Sequence, residues 1–192
     1  MRALMKQAYT QVRKPRRFIF ACVIGIFLSL LYPTDLQSYR TPRADGDLSL
    51  ALVTNHYLRF ANTVVQVALP ILLKDKIGLV QLVYVAISTT AATHGLKRLV
   101  DEWEVWGTRL GERPSGPHSR HNMPSGHSSM ASSAAYFVCR RYGFMHALYL
   151  IPILLLTMYA RVALNAHTVT AVIAGALVGL LMAAIFTSGR RA

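Results

Sequence analysis

Two histidines and two arginines, placed at the ends of apolar segments, define the chemistry open to this chain. Pro124-Ser125-Gly126-His127 opens one such segment, and Arg161 stands six residues before His167, which opens another. Arg113-Pro114 lies upstream of both. Cleaving a phosphomonoester needs an in-line nucleophile, an acid for the leaving oxygen, and donors around the phosphoryl oxygens. His167 suits the first task, because an imidazole can attack phosphorus and form a phosphohistidine that water later hydrolyses. His127 suits the second, giving a proton to the leaving alkoxide and then taking one from water. Arg113 and Arg161 can grip phosphoryl oxygens through planar, charge-assisted hydrogen bonds. Ser125, Gly126 and His127 can present amide hydrogens at a helix start, where Gly126 lets an anion approach the backbone. Lys97 adds a compact positive charge, with a snorkelling interface anchor as its other reading.

The elements that position these residues are membrane helices. Of 192 residues, 53% are hydrophobic and only 15% are charged, with a mean hydropathy of +0.35. A soluble domain of this length needs more charge to cover its surface, and several apolar runs approach bilayer-spanning length. Hydropathy gives six segments: 18–32, about 50–73, 77–96, 127–140, 144–162 and 167–186. The second is a single helix extended backward from its apolar core, with His56 and Arg59 on one face and a kink expected at Pro70. Small residues in the fourth segment, and Gly175 with Gly179 in the sixth, permit close helix packing. A basic stretch precedes the first run, but Pro33-Thr34-Asp35 follows it where a small-residue cleavage pattern would stand, so a retained helix is expected. Cys22 and Cys139 fall in apolar segments without metal or redox spacing.

The net charge of +13 is not the signature of a nucleic-acid binder, because it clusters beside apolar runs. Six crossings put both termini, Lys74/Lys76, Arg140/Arg141 and Arg190/Arg191 on one side, which the positive-inside rule makes cytoplasmic. The loop 97–127 and the turn from Arg161 to His167 then share the outward face. The expected organisation is one all-α, polytopic domain over 1–192. In it 34–60 forms an outward loop and interfacial helix start, and 97–127 forms an outward active-site loop.

These residues resemble the type 2 phosphatidic acid phosphatase superfamily, whose signature is Lys-x6-Arg-Pro, Pro-Ser-Gly-His and Ser-Arg-x5-His-x3-Asp. The second part is intact at Pro124 to His127, and the third is present as Ala160-Arg161-x5-His167. The resemblance implies a six-helix membrane bundle, with His167 as nucleophile, His127 as acid, and Lys97, Arg113, Ser125, Gly126 and Arg161 binding phosphate. More narrowly, the context of Glu112-Arg113-Pro114 and Asn122-Met123-Pro124 is similar to small lipid A 1-phosphatases. Such enzymes remove the lipid A 1-phosphate at the outer, periplasmic face of the bacterial inner membrane.

Three departures set questions for the structure. Lys97 and Arg113 are sixteen apart where the family has seven. Either Lys97 keeps its role before an inserted excursion, or Arg109 replaces it. Ala160 stands in place of the family serine, and Ala171 stands where a carboxylate would orient the nucleophile. Either another acceptor, such as a backbone carbonyl or Asn165, orients His167, or turnover is slow. His118, His121, Arg120 and Arg43 are further candidates for a second phosphate or a sugar, with solvated loop charge as the plain reading. No Cys/His or carboxylate set reads as a metal site, so no metal or cofactor is expected. The expected partner is a lipid within the bilayer, with no nucleic acid and no obligate protein partner. Undecaprenyl pyrophosphate and phosphatidylglycerophosphate are the alternative substrates, and a small membrane transporter is the non-enzyme alternative.

Overall fold

The computed structural model describes residues 2–32, 34–40 and 48–190. The candidate Arg43 and the terminal Arg191 lie outside these residues. Helices dominate: α1 (Arg2–Thr10), α2 (Arg16–Leu31), a single turn α3 (Gln37–Arg40), α4 (Ser49–His56), α5 (Ala61–Leu72), α6 (Lys76–Leu99), α7 (Gly126–Tyr142), α8 (Ala147–Ala163) and α9 (Val169–Phe186). Among the described residues, three stretches are long and apolar enough to cross a membrane, namely Lys76–Leu99, Phe144–Ala163 and Val169–Phe186. Large apolar side chains such as Phe20, Phe27, Leu72, Ile87 and Leu148 face outward. Serines, threonines and amides, including Asn62, Gln81, Ser128 and Ser132, are buried inside. This is the distribution of a multi-pass membrane protein, in which hydrocarbon replaces water around the bundle.

The centre of the bundle is the packing of α7 on α9. A Cβ on Gly175 would collide with the Ser125 carbonyl, and one on Gly179 would collide with the Ser129 carbonyl. The two glycines therefore set how closely the backbones approach. Ser132 Oγ donates to the Ala176 carbonyl at 2.8 Å across the same contact. Asn62 Nδ2 on α5 donates to the carbonyls of Ala131 and Leu150, at 3.1 and 3.0 Å, which ties α5 to both α7 and α8. In a bundle with little water, these internal bonds take the place of aqueous ones.

The sequence reading differs from the structure in four places. The second apolar segment is not one helix, because the chain breaks at Tyr57 and passes through a 3-10 turn at Leu58–Phe60. Its first half packs on α8 through Ala51, Ala160 and Ala163, while its second half packs on α7, so the axis must change direction. His56 and Arg59 consequently part company: His56 is exposed and Arg59 turns inward to His127. The amino-terminal basic stretch contains α1, whose Ala8 is fully buried and whose carbonyl accepts from Gln81 Nε2 at 2.8 Å. The loop 97–127 is not purely irregular, since Glu104–Val105 and Thr108–Arg109 pair as a two-stranded hairpin. Its turn residues, Trp106 and Gly107, both have positive φ, as a two-residue hairpin turn requires. Finally, α9 begins at Val169, with Thr168 as its cap, so His167 lies in the preceding turn and does not open the helix.

At the end of the bundle away from this loop, Arg141 forms a buried fork with Asp75, its Nη2 2.7 Å from Oδ1. Arg141 also donates to Gln81 Oε1 at 3.0 Å and to the Ser188 carbonyl at 3.2 Å. Burial alone would raise the Asp75 carboxyl, but bonds from Arg141, the Gly78 amide and Tyr142 outweigh it and hold the group below its ordinary value. A depressed carboxyl stabilises the fold above its unfolded pKa and loses that contribution as pH falls below about 4. Asp75→Asn should therefore lower stability at pH 7, by up to about 3–5 kcal/mol, because Arg141 keeps its charge without a partner. Thermal unfolding in detergent from pH 7 to pH 3 should show the parent converging on the variant as acid removes its advantage. A constant gap across that range would contradict the assignment.

Candidate active site

The loop 97–127 and the α8–α9 turn border a half-open cavity of about 500 Å³ between the helices, lined by Lys97, Arg113, Gly126, His127, Arg161 and His167, among others. Six of the residues singled out from sequence thus meet in one place, although they come from four separate parts of the chain. Among the described lining residues there is no carboxylate. Three cations therefore face one another across the cavity with no anion between them, a geometry that favours an incoming anion.

Neutral oxygens hold the cations, two on the backbone and one on a side-chain amide. Lys97 Nζ donates to the His121 carbonyl at 2.7 Å. Arg113 Nε donates to the Arg120 carbonyl at 2.8 Å. Arg161 Nη1 is fixed by Asn55 Oδ1 at 2.7 Å. All three acceptors are neutral, so the positive charge is positioned but not cancelled. Asp101 carries the carboxylate behind this arrangement: its Oδ1 accepts from the His121 amide at 2.7 Å and its own carbonyl accepts from the Gly111 amide at 3.1 Å.

The spacing of sixteen between Lys97 and Arg113 now has a physical form. The hairpin 104–109 is the excursion, and both residues return to the cavity. Arg109 instead donates to the Ser119 carbonyl at 2.6 Å and approaches Asp101 at 3.9 Å, inside the loop.

His167 is buried, and its Nδ1 lies 2.7 Å from the Asn122 carbonyl. A carbonyl can only accept, so Nδ1 carries the proton and Nε2 keeps its lone pair. Burial, followed by the charges of Lys97, Arg161 and Arg113, pushes this imidazole down to about 2, against a smaller upward pull from the Asn122 carbonyl. It is therefore neutral at physiological pH. Of the two acceptors expected for it, the backbone carbonyl is the one observed. Asn165 sits in the turn with positive φ, and its Oδ1 is buried without a partner. Asn122 does more, because its side chain also receives the Thr168 amide and donates to Thr168 Oγ1, both at 3.1 Å. One residue thus aligns both the nucleophile candidate and the cap of α9.

His127 Nε2 lies 3.3 Å from Arg59 Nη1. A guanidinium can only donate, so Nε2 accepts in this state. The helix start at Ser125 contributes less than the sequence suggested. Ser125 is fully buried, and its amide is already donated to the Ala171 carbonyl at 2.8 Å. Gly126 does border the cavity, and a Cβ there would meet no protein atom, so the room it leaves belongs to the cavity. His118 is exposed, and His121 acts through its carbonyl and amide; neither is among the described lining residues. Arg59, Asn55 and Asn122 carried no chemical reading in the sequence. A polar residue inside an apolar segment was the available signal for the first two. Among the described residues no group of three or more His, Cys, Asp or Glu is placed to hold a metal ion.

Residues 78–192 match the PAP2 superfamily. The chain is 44% identical over 138 residues to a lipid A 1-phosphatase of Helicobacter pylori strain 26695, covering 72% of each. It is 35% identical over 169 residues to a lipid A 4'-phosphatase of Helicobacter pylori strain J99, covering 85% of this chain and 82% of that one. In fold it is similar to a PAP2-type phosphatidylglycerolphosphate phosphatase of Bacillus subtilis, with a TM-score of 0.55 at 21% identity, over 88% of this chain and 92% of the other.

Replacing each cation by methionine separates the two basic candidates of the loop. Lys97→Met should weaken binding of inorganic phosphate by about tenfold or more, the effect of one charge-assisted hydrogen bond. Arg109→Met should change that affinity by less than about threefold and instead lower the melting temperature through the loop. Titration of both variants in detergent checks this, and the reverse ranking would reassign the role.

Proposed function

The chain belongs to the PAP2 superfamily of membrane lipid phosphatases, and on that premise we propose that it removes the 1-phosphate of lipid A without a metal ion. The observation that carries the chemistry is the single tether of His167: a protonated Nδ1 held by the Asn122 carbonyl, which leaves Nε2 free in a cavity with uncancelled positive charge. The higher identity to the 1-phosphatase than to the 4'-phosphatase favours the 1-position.

In this reading Lys97, Arg113 and Arg161 hold the phosphoryl oxygens, with the backbone at Gly126 and the start of α7 beside them. Ser125 supports that helix start from within. His167 Nε2 attacks phosphorus in line, and the bond from phosphorus to the lipid oxygen breaks. Once the bound anion has offset the neighbouring cations and drawn Arg59 away, His127 takes up a proton at Nε2 and gives that proton to the departing alkoxide. Water then attacks the phosphohistidine while His127 takes its proton, and phosphate leaves with His167 restored. The positive charge that a metal would supply comes from side chains. The neutral Asn122 carbonyl does the orienting work for which the family uses a carboxylate, at the position where this chain has Ala171.

We place the whole chain as one domain with six crossings: α2, the α4–α5 pair, α6, α7, α8 and α9. Lys74, Lys76, Arg140 and Arg190 then face the cytoplasm, and loop 97–127 faces the periplasm of a bacterial inner membrane. At 1.5 Å per residue α7 falls short of a bilayer core of about 30 Å, so its ends lie at headgroup depth or under the cover of the loops packed on them.

A phosphate-release panel on detergent-solubilised protein tests the reading. Lipid A should be turned over faster than undecaprenyl pyrophosphate, phosphatidylglycerophosphate or phosphatidic acid, in excess chelator, with His167→Ala inactive. Mass spectrometry of the product should show the 4'-phosphate retained. A product lacking the 4'-phosphate, or preference for another lipid, would contradict the substrate assignment.

A further inference from the structure

The cavity does not end at the phosphate-facing cations. It continues into the bundle between α5, α6 and α7, along walls that the phosphoryl chemistry does not use. Thr89 and Thr93 come from α6, Thr63 and Gln66 from α5, and Ser129 and Ser133 from α7. By helix rise, Thr89 lies about 12 Å along α6 from Lys97. Polar side chains at such depth in an apolar bundle normally pair with one another or with backbone. Some of these do: Thr93 Oγ1 donates to Ser129 Oγ at 2.9 Å, and Ser133 Oγ donates to the Met130 carbonyl at 3.0 Å. Three do not. Thr63 Oγ1, Gln66 Nε2 and Thr89 Oγ1 are buried without a hydrogen-bond partner. Gln66 and Thr89 are only 5% and 6% exposed. Leaving such groups unpaired is costly, and three of them along one cavity mark a surface built to meet a polar guest.

The chemistry of the walls limits what that guest is. None of these six side chains is charged, so a second phosphate has no counter-charge here. A bare hydrocarbon chain would leave the donors and acceptors unmet. Hydroxyls and carbonyls satisfy both requirements. Thr63 also borders an apolar depression lined by Val64, Val67 and Ile71 on the outer face of α5. A headgroup in the passage can therefore keep its acyl chains in hydrocarbon.

We propose that this passage is a binding site for neutral hydrogen-bonding groups of the leaving alcohol, namely the hydroxyl, amide and ester groups of an acylated sugar. Gln66 and Thr89 are its specificity-determining residues. The inference rests on the lipid phosphatase reading above and extends it from the phosphate to the alcohol that departs.

The test compares two substrates carrying the same phosphomonoester, a lipid A 1-phosphate and a polyprenyl monophosphate whose alcohol is all hydrocarbon. Gln66→Leu and the near-isosteric Thr89→Val should each lower kcat/KM for the glycolipid by about tenfold, the effect of one lost buried hydrogen bond. Turnover of the polyprenyl phosphate should stay within about twofold of the parent, and Thr89→Ser should restore the glycolipid rate. Equal losses on both substrates, or none on the glycolipid, would overturn the proposal. A parent that cleaves the polyprenyl phosphate but not the glycolipid overturns this leaving-group assignment and leaves the phosphatase chemistry standing. A parent inactive on both removes that chemistry itself, and this site with it.

Discussion

Four consecutive carbonyls run from Ser119 to Asn122, and two of them meet the conflict at the heart of this site: Lys97 and Arg113 must be held close together without being neutralised. Ser119 receives Arg109, Arg120 receives Arg113, His121 receives Lys97, and Asn122 receives the His167 imidazole. A carboxylate could hold each cation as firmly, but it would cancel the charge that an incoming anion would meet. Carbonyls hold geometry and leave the charge available. Asp101 shows the complementary solution. Its carboxylate is buried and accepts from the His121 amide, so it braces the loop without lining the cavity.

This strand of backbone works only if the helices beneath it stay in register. The α7–α9 contact supplies that register, since Gly175 and Gly179 bring the helix carrying His127 against the helix that follows His167. The bond from the Ser125 amide to the Ala171 carbonyl closes the same junction. It also gives Ala171 a structural use: the position is wholly buried, and the orienting contact for His167 comes from the neighbouring loop instead. At the opposite end, the Asp75–Arg141 fork ties α6, α7 and the segment after α9 together. The bundle is thus clamped at one end and charged at the other.

Much of the helical frame was legible because apolar length is a strong signal in this kind of chain. The segment read as 77–96 is the helix Lys76–Leu99, and the last segment is Val169–Phe186. The break at Tyr57 was not legible, because it arises from two partners pulling one apolar segment in different directions. α1 was hidden for a related reason: it is too short and basic to register by hydropathy, and it is held through Ala8 and Gln81. At the site, side chains with obvious chemistry were readable from their spacing. The carbonyl tethers were not, since every residue carries the same backbone oxygen and only the fold decides which are used. Arg59 lay in plain view as a charge inside an apolar segment, yet its approach to His127 depends on the turn that the sequence did not announce.

The proposed chemistry turns on one atom, Nε2 of His167, attacking phosphorus. Rapid quenching of the detergent-solubilised protein with lipid labelled at its phosphate tests this directly, followed by peptide mapping under alkaline conditions that preserve phosphohistidine. An acid-labile, alkali-stable label should appear on the peptide containing His167 and be abolished in His167→Ala. Full turnover without such a label, or a label on the peptide containing His127, would contradict that chemistry.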